Sequence, residues 1–470
     1  MTFDSFDFAL FLPLAFIAYW LLAAHFKWQN MLVLALSYFF YACSDYRFLA
    51  LIASTTLISY SCARLIDNSA SKSHRRLWNM VNIVANLAIL FYFKYFNFFA
   101  ESVEAMLNAV GIESTFTLSR IILPIGISFY TFQALSYTID VTHRRIKAER
   151  SLIAYATYIS FFPQLVAGPI ERASDLLPQF KRKRTFDYAL AADGVRRMLW
   201  GFFKKMAIAD SCAHTVNVCF ADYAQYNSIM LFCGMILFSI QIYADFSGYS
   251  DIAVGCAQLF GIRLSDNFRC PYFATSITEL WRRWHITLTG WFRDYVYIPL
   301  GGSRCRKSRI IFNTIIVFAL SGLWHGAQWH FVVWGVLNGI LFIPDIISGK
   351  KKRYADCIAP ISPTRLLNML LTFLLFSLII VFFRAESIES ACQYLFCMAS
   401  AGPGSVSMKI LAILLCSAFM IWVEWLNRNC RHALQCIKLP AIGRYAFYYL
   451  IIFMILWNSG KYTQFIYFQF

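Results

Sequence analysis

The chain has 470 residues, 59% of them hydrophobic and 18% aromatic, with only 14% charged. So little polar sequence cannot dress a water-soluble core of that size, and the composition reads as an all-α polytopic membrane protein. The net charge of +17 would suit nucleic acid, but the basic residues fall in short clusters between apolar runs, the pattern of loops on the cytoplasmic face, which argues against that partner.

In chain order, twelve apolar segments approach the ~20 residues a bilayer requires: 8–24, 31–44, 47–63, 78–98, 119–139, 195–213, 228–248, 310–325, 328–347, 366–383, 408–426 and 444–458. Asp4 and Asp7 precede the first and no small-residue cleavage site follows, so it reads as a spanning helix rather than a removed signal. Basic stretches at 64–76, 143–150, 181–184, 304–309, 350–353 and 428–438 are expected inside; 99–118 and 214–227 lack Lys and Arg and are expected outside, as is the N-terminus. Residues 151–169 are apolar, yet basic sequence flanks both ends and Pro163 and the Gly168-Pro169 pair interrupt them. They read as a re-entrant hairpin, since irregular backbone at depth must be buried in protein. The expectation is a single membrane domain of about 11–12 spanning helices with re-entrant and interfacial helices, divided into N-terminal helices (1–150), a catalytic core (151–350) and C-terminal helices with an aromatic tail (351–470).

Asp245, Ser247, Tyr249 and Asp251 end one apolar run. Their carboxylates are expected to pair with Arg282 or Arg283, because unpaired charge at depth is costly. From Trp281 onward, a helical repeat puts Trp281, Trp284, His285, Leu288, Trp291, Phe292 and Tyr295 on one face and Arg282, Arg283, Arg293 and Asp294 on the other. That predicts one interfacial helix carrying His285 on its buried side. Arg282 and Arg283 suit the phosphates of a coenzyme and equally suit lipid headgroups. His325 ends the run IIFNTIIVFALSGLW, and Ser321, Gly322 and Gly326 let a backbone or a ligand come close to it. A buried but reachable imidazole is a suitable general base, although one buried histidine alone is more often a core side chain. His330, five residues on, points elsewhere on a helix and reads as an interfacial polar residue. No Cys or His spacing suggests a metal site, and the 14 cysteines read as small, reduced hydrophobes. Polar residues in apolar sequence concentrate between Gln241 and His330 instead of mirroring each other between halves, which argues against a transporter.

The blocks WRRWHITLTGWFRDYVYIPLGG and SGLWHGAQWHFVVWG resemble the two signature blocks of membrane-bound O-acyltransferases, in the bacterial branch that modifies alginate and teichoic acids. PIGISFYTFQALSYTIDV, YISFFPQLVAGPIER, QIYADFSGYSDIAVG and the terminal FIYFQF resemble the same branch. The resemblance implies His325 as the base and His285 as its partner, orienting the acyl group or donating to the oxyanion. It implies Tyr467 as an acyl relay, acetyl-CoA as the donor, and an extracytoplasmic glycan such as alginate as the acceptor. A separate SGNH-type extracytoplasmic transferase would complete the step, in the bacterial inner membrane. D-alanylation of teichoic acids is the alternative within the family, and a non-catalytic polysaccharide exporter the alternative outside it. Basic loops flank the segments on either side of His325, so a donor made inside is expected to reach it through the protein.

Overall fold

The computed structural model describes residues 1–112, 121–349, 362–458 and 463–466, and among these there is no strand. The chain divides into two compact units, Met1–Ala191 with Ala257–Leu264, and Ala192–Cys256 with Ser265–Phe470.

The first unit contains α1 (Phe6–Leu21), α2 (Phe26–Asp45), α3 (Leu49–Asn68), α4 (Lys72–Leu90), α5 (Phe96–Ala109), α6 (Ile127–Thr142), α7 (Leu152–Ser160), α8 (Phe162–Leu165), α9 (Ala173–Phe180) and the start of α10 (Tyr188–Phe202). α3 packs on α4 and α6, and buried amides stitch them: Asn82 Nδ2 donates to Thr138 Oγ1 at 2.7 Å and Asn86 Nδ2 to Ser59 Oγ at 3.3 Å. Residues 154–170 are buried throughout. Their irregular backbone is satisfied inside the protein, Ser37 Oγ accepting from Phe162 N at 3.1 Å and Tyr158 O from Gln164 Nε2 at 2.6 Å, as expected of a segment that interrupts the spans.

The second unit continues α10 through a π-helical stretch, Phe203–Ala209, into α11 (Asp210–Ala221), followed by α12 (Ser228–Leu259), α13 (Ile277–Arg283) and α14 (Ile286–Phe292). Then come α15 (Lys307–His325), α16 (Trp329–Leu341), α17 (Ile343–Ser348), α18 (Pro363–Arg384), α19 (Ile388–Ser400), α20 (Met408–Leu426) and α21 (Ala441–Asn458). α15 and α16 form a tight antiparallel hairpin. Glycines permit the contact: a Cβ on Gly322 would lie 2.1 Å from the Phe331 carbonyl oxygen, and one on Gly335 2.2 Å from that of Phe318.

Eight helical runs among the described residues are long and apolar enough to cross a bilayer: Phe26–Asn68, Lys72–Ala109, Ser228–Leu259, Lys307–His325, Trp329–Ser348, Pro363–Arg384, Met408–Leu426 and Ala441–Asn458. The expected segments 31–44 and 47–63 both lie in the first, joined by a 3₁₀ turn at Tyr46–Phe48. Of the others, 8–24 corresponds to the 16-residue α1. Segment 119–139 becomes the largely buried α6, and 195–213 falls in a helical path loaded with Arg196, Arg197, Lys204, Lys205 and Asp210. Large apolar side chains stand on the surface of the runs, among them Ile442, Trp457 and Leu370, a surface suited to lipid.

Candidate active site

The stretch expected as one amphipathic helix is broken. α13 starts at a side-chain cap, Ser276 Oγ accepting from Glu279 N at 3.2 Å, and Glu279 Oε2 accepts from the backbone N of Thr275, the residue before the cap, at 2.8 Å. It ends at Arg283; Trp284 is extended, and His285 adopts the left-handed region at φ 44°, ψ 51° before α14 begins. For a residue with a Cβ this conformation is costly, roughly 1–2 kcal/mol. The segment around Asn267 supports it: Arg269 N donates to Arg283 O and Ile286 N to Asn267 O, both at 2.9 Å. Of the face periodicity predicted, Trp281, Trp284, His285, Leu288, Trp291 and Phe292 are buried and Tyr295 is half-buried. The helix itself gives way at Trp284 and His285, where the backbone leaves helical geometry.

His285 and His325 come together, although they are 40 residues apart in sequence. Their ring centroids lie 6.3 Å apart, and both are buried, at 0% and 4% exposure. Aromatic rings enclose them. Phe246 meets His285 edge-on at 4.6 Å, and Trp324, Trp334 and Phe383 surround His325 at 5.0, 5.3 and 5.4 Å. Trp281 Nε1 donates to Asn338 Oδ1 at 3.1 Å and fastens α13 to α16 under this cage.

Asn267 sets the tautomer of His285. Its Oδ1 accepts from Thr287 Oγ1 at 3.0 Å and from the Thr287 backbone N at 3.4 Å, which makes that oxygen an acceptor toward His285 Nδ1 at 3.1 Å as well. Nδ1 therefore carries the hydrogen, and Nε2 of the neutral ring presents a lone pair. Burial holds this imidazole well below its ordinary pKa range, so the neutral form prevails.

The two arginines part company. Arg282 is exposed, whereas Arg283 is buried and paired with Glu279 one turn earlier in α13 at 2.5 Å, so the expectation of a shared polar face is corrected: the ion pair draws Arg283 inward. Asp245 and Asp251 are ion-paired, but with α10 and the π-helical stretch rather than with Arg282 or Arg283. Asp251 accepts from Arg197 at 2.7 Å and Lys204 at 2.6 Å, and Asp245 pairs with Lys205 at 3.0 Å. Glu424 of α20 joins the network, accepting from Tyr243 OH at 2.8 Å. The basic residues within the apolar run 195–213 were the available signal, because ionisable groups at depth need partners. The polar core thus extends well outside 241–330.

Beside this network lies a cavity of about 300 Å³ lined by Lys204, Tyr243, Asp251, Phe268, Glu424 and the loop 427–433, with Arg269, Arg428 and Arg431 adding positive charge. Phe268 and Tyr243 separate it from Trp284, at ring distances of 5.2 and 6.1 Å. Arg269 also lines it, and its backbone bond to Arg283 O brings the Arg282-Arg283 end of α13 near the cavity wall.

His330 is a core side chain rather than an interfacial one: at 4% exposure it bonds Phe382 O at 2.9 Å and Gln328 Oε1 at 2.5 Å. Gly322 and Gly326 meet α16 instead of open space, a Cβ on Gly326 falling 2.0 Å from the Phe331 ring. Leucine at either position would wedge the hairpin apart, so such variants report on packing and not on a passage. Tyr467 lies outside the described residues. The described cysteines are all free thiols.

Residues 140–350 match MBOAT, the membrane-bound O-acyltransferase family. The chain is 39% identical over 399 residues to the "Probable alginate O-acetylase AlgI" of Azotobacter vinelandii, covering 85% of this chain and 78% of that protein. It is 34% identical over 414 residues to the "Peptidoglycan O-acetyltransferase" of Helicobacter pylori, covering 82% and 77%. A shorter match, 28% over 233 residues, joins 46% of it to 57% of the "Teichoic acid D-alanyltransferase" of Bacillus subtilis. At this identity and coverage, and with its two buried histidines inside the matched residues, the chain belongs to the membrane-bound O-acyltransferase family.

Proposed function

We propose that this protein acetylates an extracytoplasmic polysaccharide from the bacterial inner membrane, using acetyl-CoA from the cytoplasm. The observation that carries the reading is the enclosed pair His285 and His325, supported by the O-acetylating relatives. His325 acts as general base. It takes the proton of the attacking hydroxyl as the new C–O bond forms, and the C–S bond of the thioester then breaks, the proton going to the departing thiolate to leave an ester and a free thiol. His285, its Nε2 bearing a lone pair, serves better to orient the acyl group than to donate to an oxyanion. Aromatic walls keep water from the thioester.

The donor's anionic part binds at the basic cavity, with Lys204, Arg269, Arg428 and Arg431 facing it and Arg282 and Arg283 at its approach. Arg428 and Arg431 fall in the basic stretch 428–438, whose charge pattern marks the cytoplasmic side. The acetyl group passes outward past His325 to a glycan, directly or through Tyr467 and an SGNH-type partner protein.

His325→Ala tests the reading. In cells carrying the acceptor glycan, transfer should fall by ~10²–10⁴-fold, the worth of a general base, at unchanged membrane protein level. Retained acetylation would remove the assignment, and would suit an exporter without chemistry of its own.

A further inference from the structure

Residues 463–466 are held by buried charges. At the last residue of α21, Asn458 Oδ1 accepts from Ser211 Oγ at 3.0 Å. Next, Lys205 Nζ donates to Thr463 O at 3.0 Å, and Thr463 Oγ1 donates to Asp210. Last, Ile466 N donates to Asp245 Oδ2 at 2.8 Å. Lys205 itself bridges the two carboxylates, 2.8 Å from Asp210 and 3.0 Å from Asp245. All three side chains are at least nine-tenths buried, as are Phe465 and Ile466.

Buried charged side chains need donors and acceptors around them. Residues 463–466 supply three: the Thr463 hydroxyl donates to Asp210, the Thr463 carbonyl accepts from Lys205, and the Ile466 amide donates to Asp245. The cluster thus receives this segment through its charged groups. The grip is also directed. Phe465 stacks on Tyr249 at 4.7 Å and touches Phe246 at 6.2 Å, and the Phe246 ring meets His285 at 4.6 Å. One ring therefore separates the tail from the histidine pair.

We propose that Lys205, Asp210 and Asp245 form a positioning clamp that seats the C-terminal tail beside the histidine pair, making the tail a working part of the transfer site. Through Phe465, Phe246 and the His285 ring, the seated tail fixes the wall against which the acyl group lies. The inference rests on the acyl-transfer reading above. Its residues act through others, so they are positioning residues and not catalytic ones.

The test uses the full-length enzyme in detergent or nanodiscs, with three variants: Thr463→Val and Asp245→Asn, which loosen the grip, and Phe465→Leu, which keeps the grip and removes the stack. Tail seating is read by carboxypeptidase trimming, followed by the mass of the tryptic peptide that begins at Tyr462. The same preparations give acetyl-CoA affinity and acetyl transfer. The expected result is that trimming passes Ile466 in the two loosened variants only. All three variants should lose transfer by on the order of 10²-fold, the scale of an ångström's misplacement at a reacting centre, while donor affinity is unchanged. A released tail with full transfer overturns the proposal, as does a tail that stays protected in both loosened variants. If Asp245→Asn fails to fold, Thr463→Val and Phe465→Leu decide the matter. His325→Ala measured alongside separates the two readings: its full activity removes the acyl-transfer assignment, whereas its loss beside active tail variants removes the clamp alone.

Discussion

Gly322→Ala is a one-carbon change whose effect the hairpin geometry predicts. The added Cβ would lie 2.1 Å from the Phe331 carbonyl oxygen, whereas ordinary contact begins at 3.4 Å. The far atom is backbone, so no side chain can swing aside, and α16 must retreat by roughly 1 Å in an interior too dense to absorb it. α16 carries Trp334, whose ring stands 5.3 Å from that of His325. Overpacking of this kind costs about 1–3 kcal/mol, and misplacement near the reacting atoms lowers the rate by on the order of 10²-fold. Gly443→Ala is the control, because its Cβ would find its nearest atom at 3.8 Å. Thermal unfolding of the detergent-solubilised protein, followed by size-exclusion fluorescence, reads the stability, and acetyl transfer per folded molecule reads the geometry. Equal melting temperatures for Gly322→Ala and Gly443→Ala would refute the reasoning.

Two other substitutions separate structural from chemical roles. Asp251→Asn leaves buried Arg197 and Lys204 facing one carboxylate fewer. It should destabilise the protein by about 3–5 kcal/mol and lower the melting temperature more than Asp45→Asn does in the exposed pair with Arg47, where solvent screens the charges; equal shifts in melting temperature would contradict this. Asn267→Ala removes the acceptor of His285 Nδ1 and should lower acetyl transfer by roughly 10–100-fold, as loss of an orienting partner commonly does, with donor affinity kept. Unchanged transfer would show that the tautomer of His285 has no bearing on the reaction.

The two histidines were legible in the sequence as candidates, because an imidazole beside small residues at the end of an apolar run stands out. Their association was not, since 40 residues of separation carry no distance. Asn267 gave no signal, being an ordinary polar residue in a loop whose role exists only because its backbone pairs with the segment around His285. The aromatic face from Trp281 to Phe292 followed from helical periodicity, but the kink at His285 did not. No glycine or proline marks it, and a left-handed histidine is tolerated only where the surrounding structure enforces it.

What the sequence determined by itself is the class of molecule. Long apolar helices need nothing beyond their own hydrogen bonds to be stable in lipid, so composition and run length identify them without tertiary information. Only the tertiary structure decided which charges meet. Asp245 and Asp251 had to find cations, but whether those came from α13 or from the π-helical stretch beside α12 depended on which helices lie side by side. Desolvation demands a partner for a buried charge, and packing chooses it.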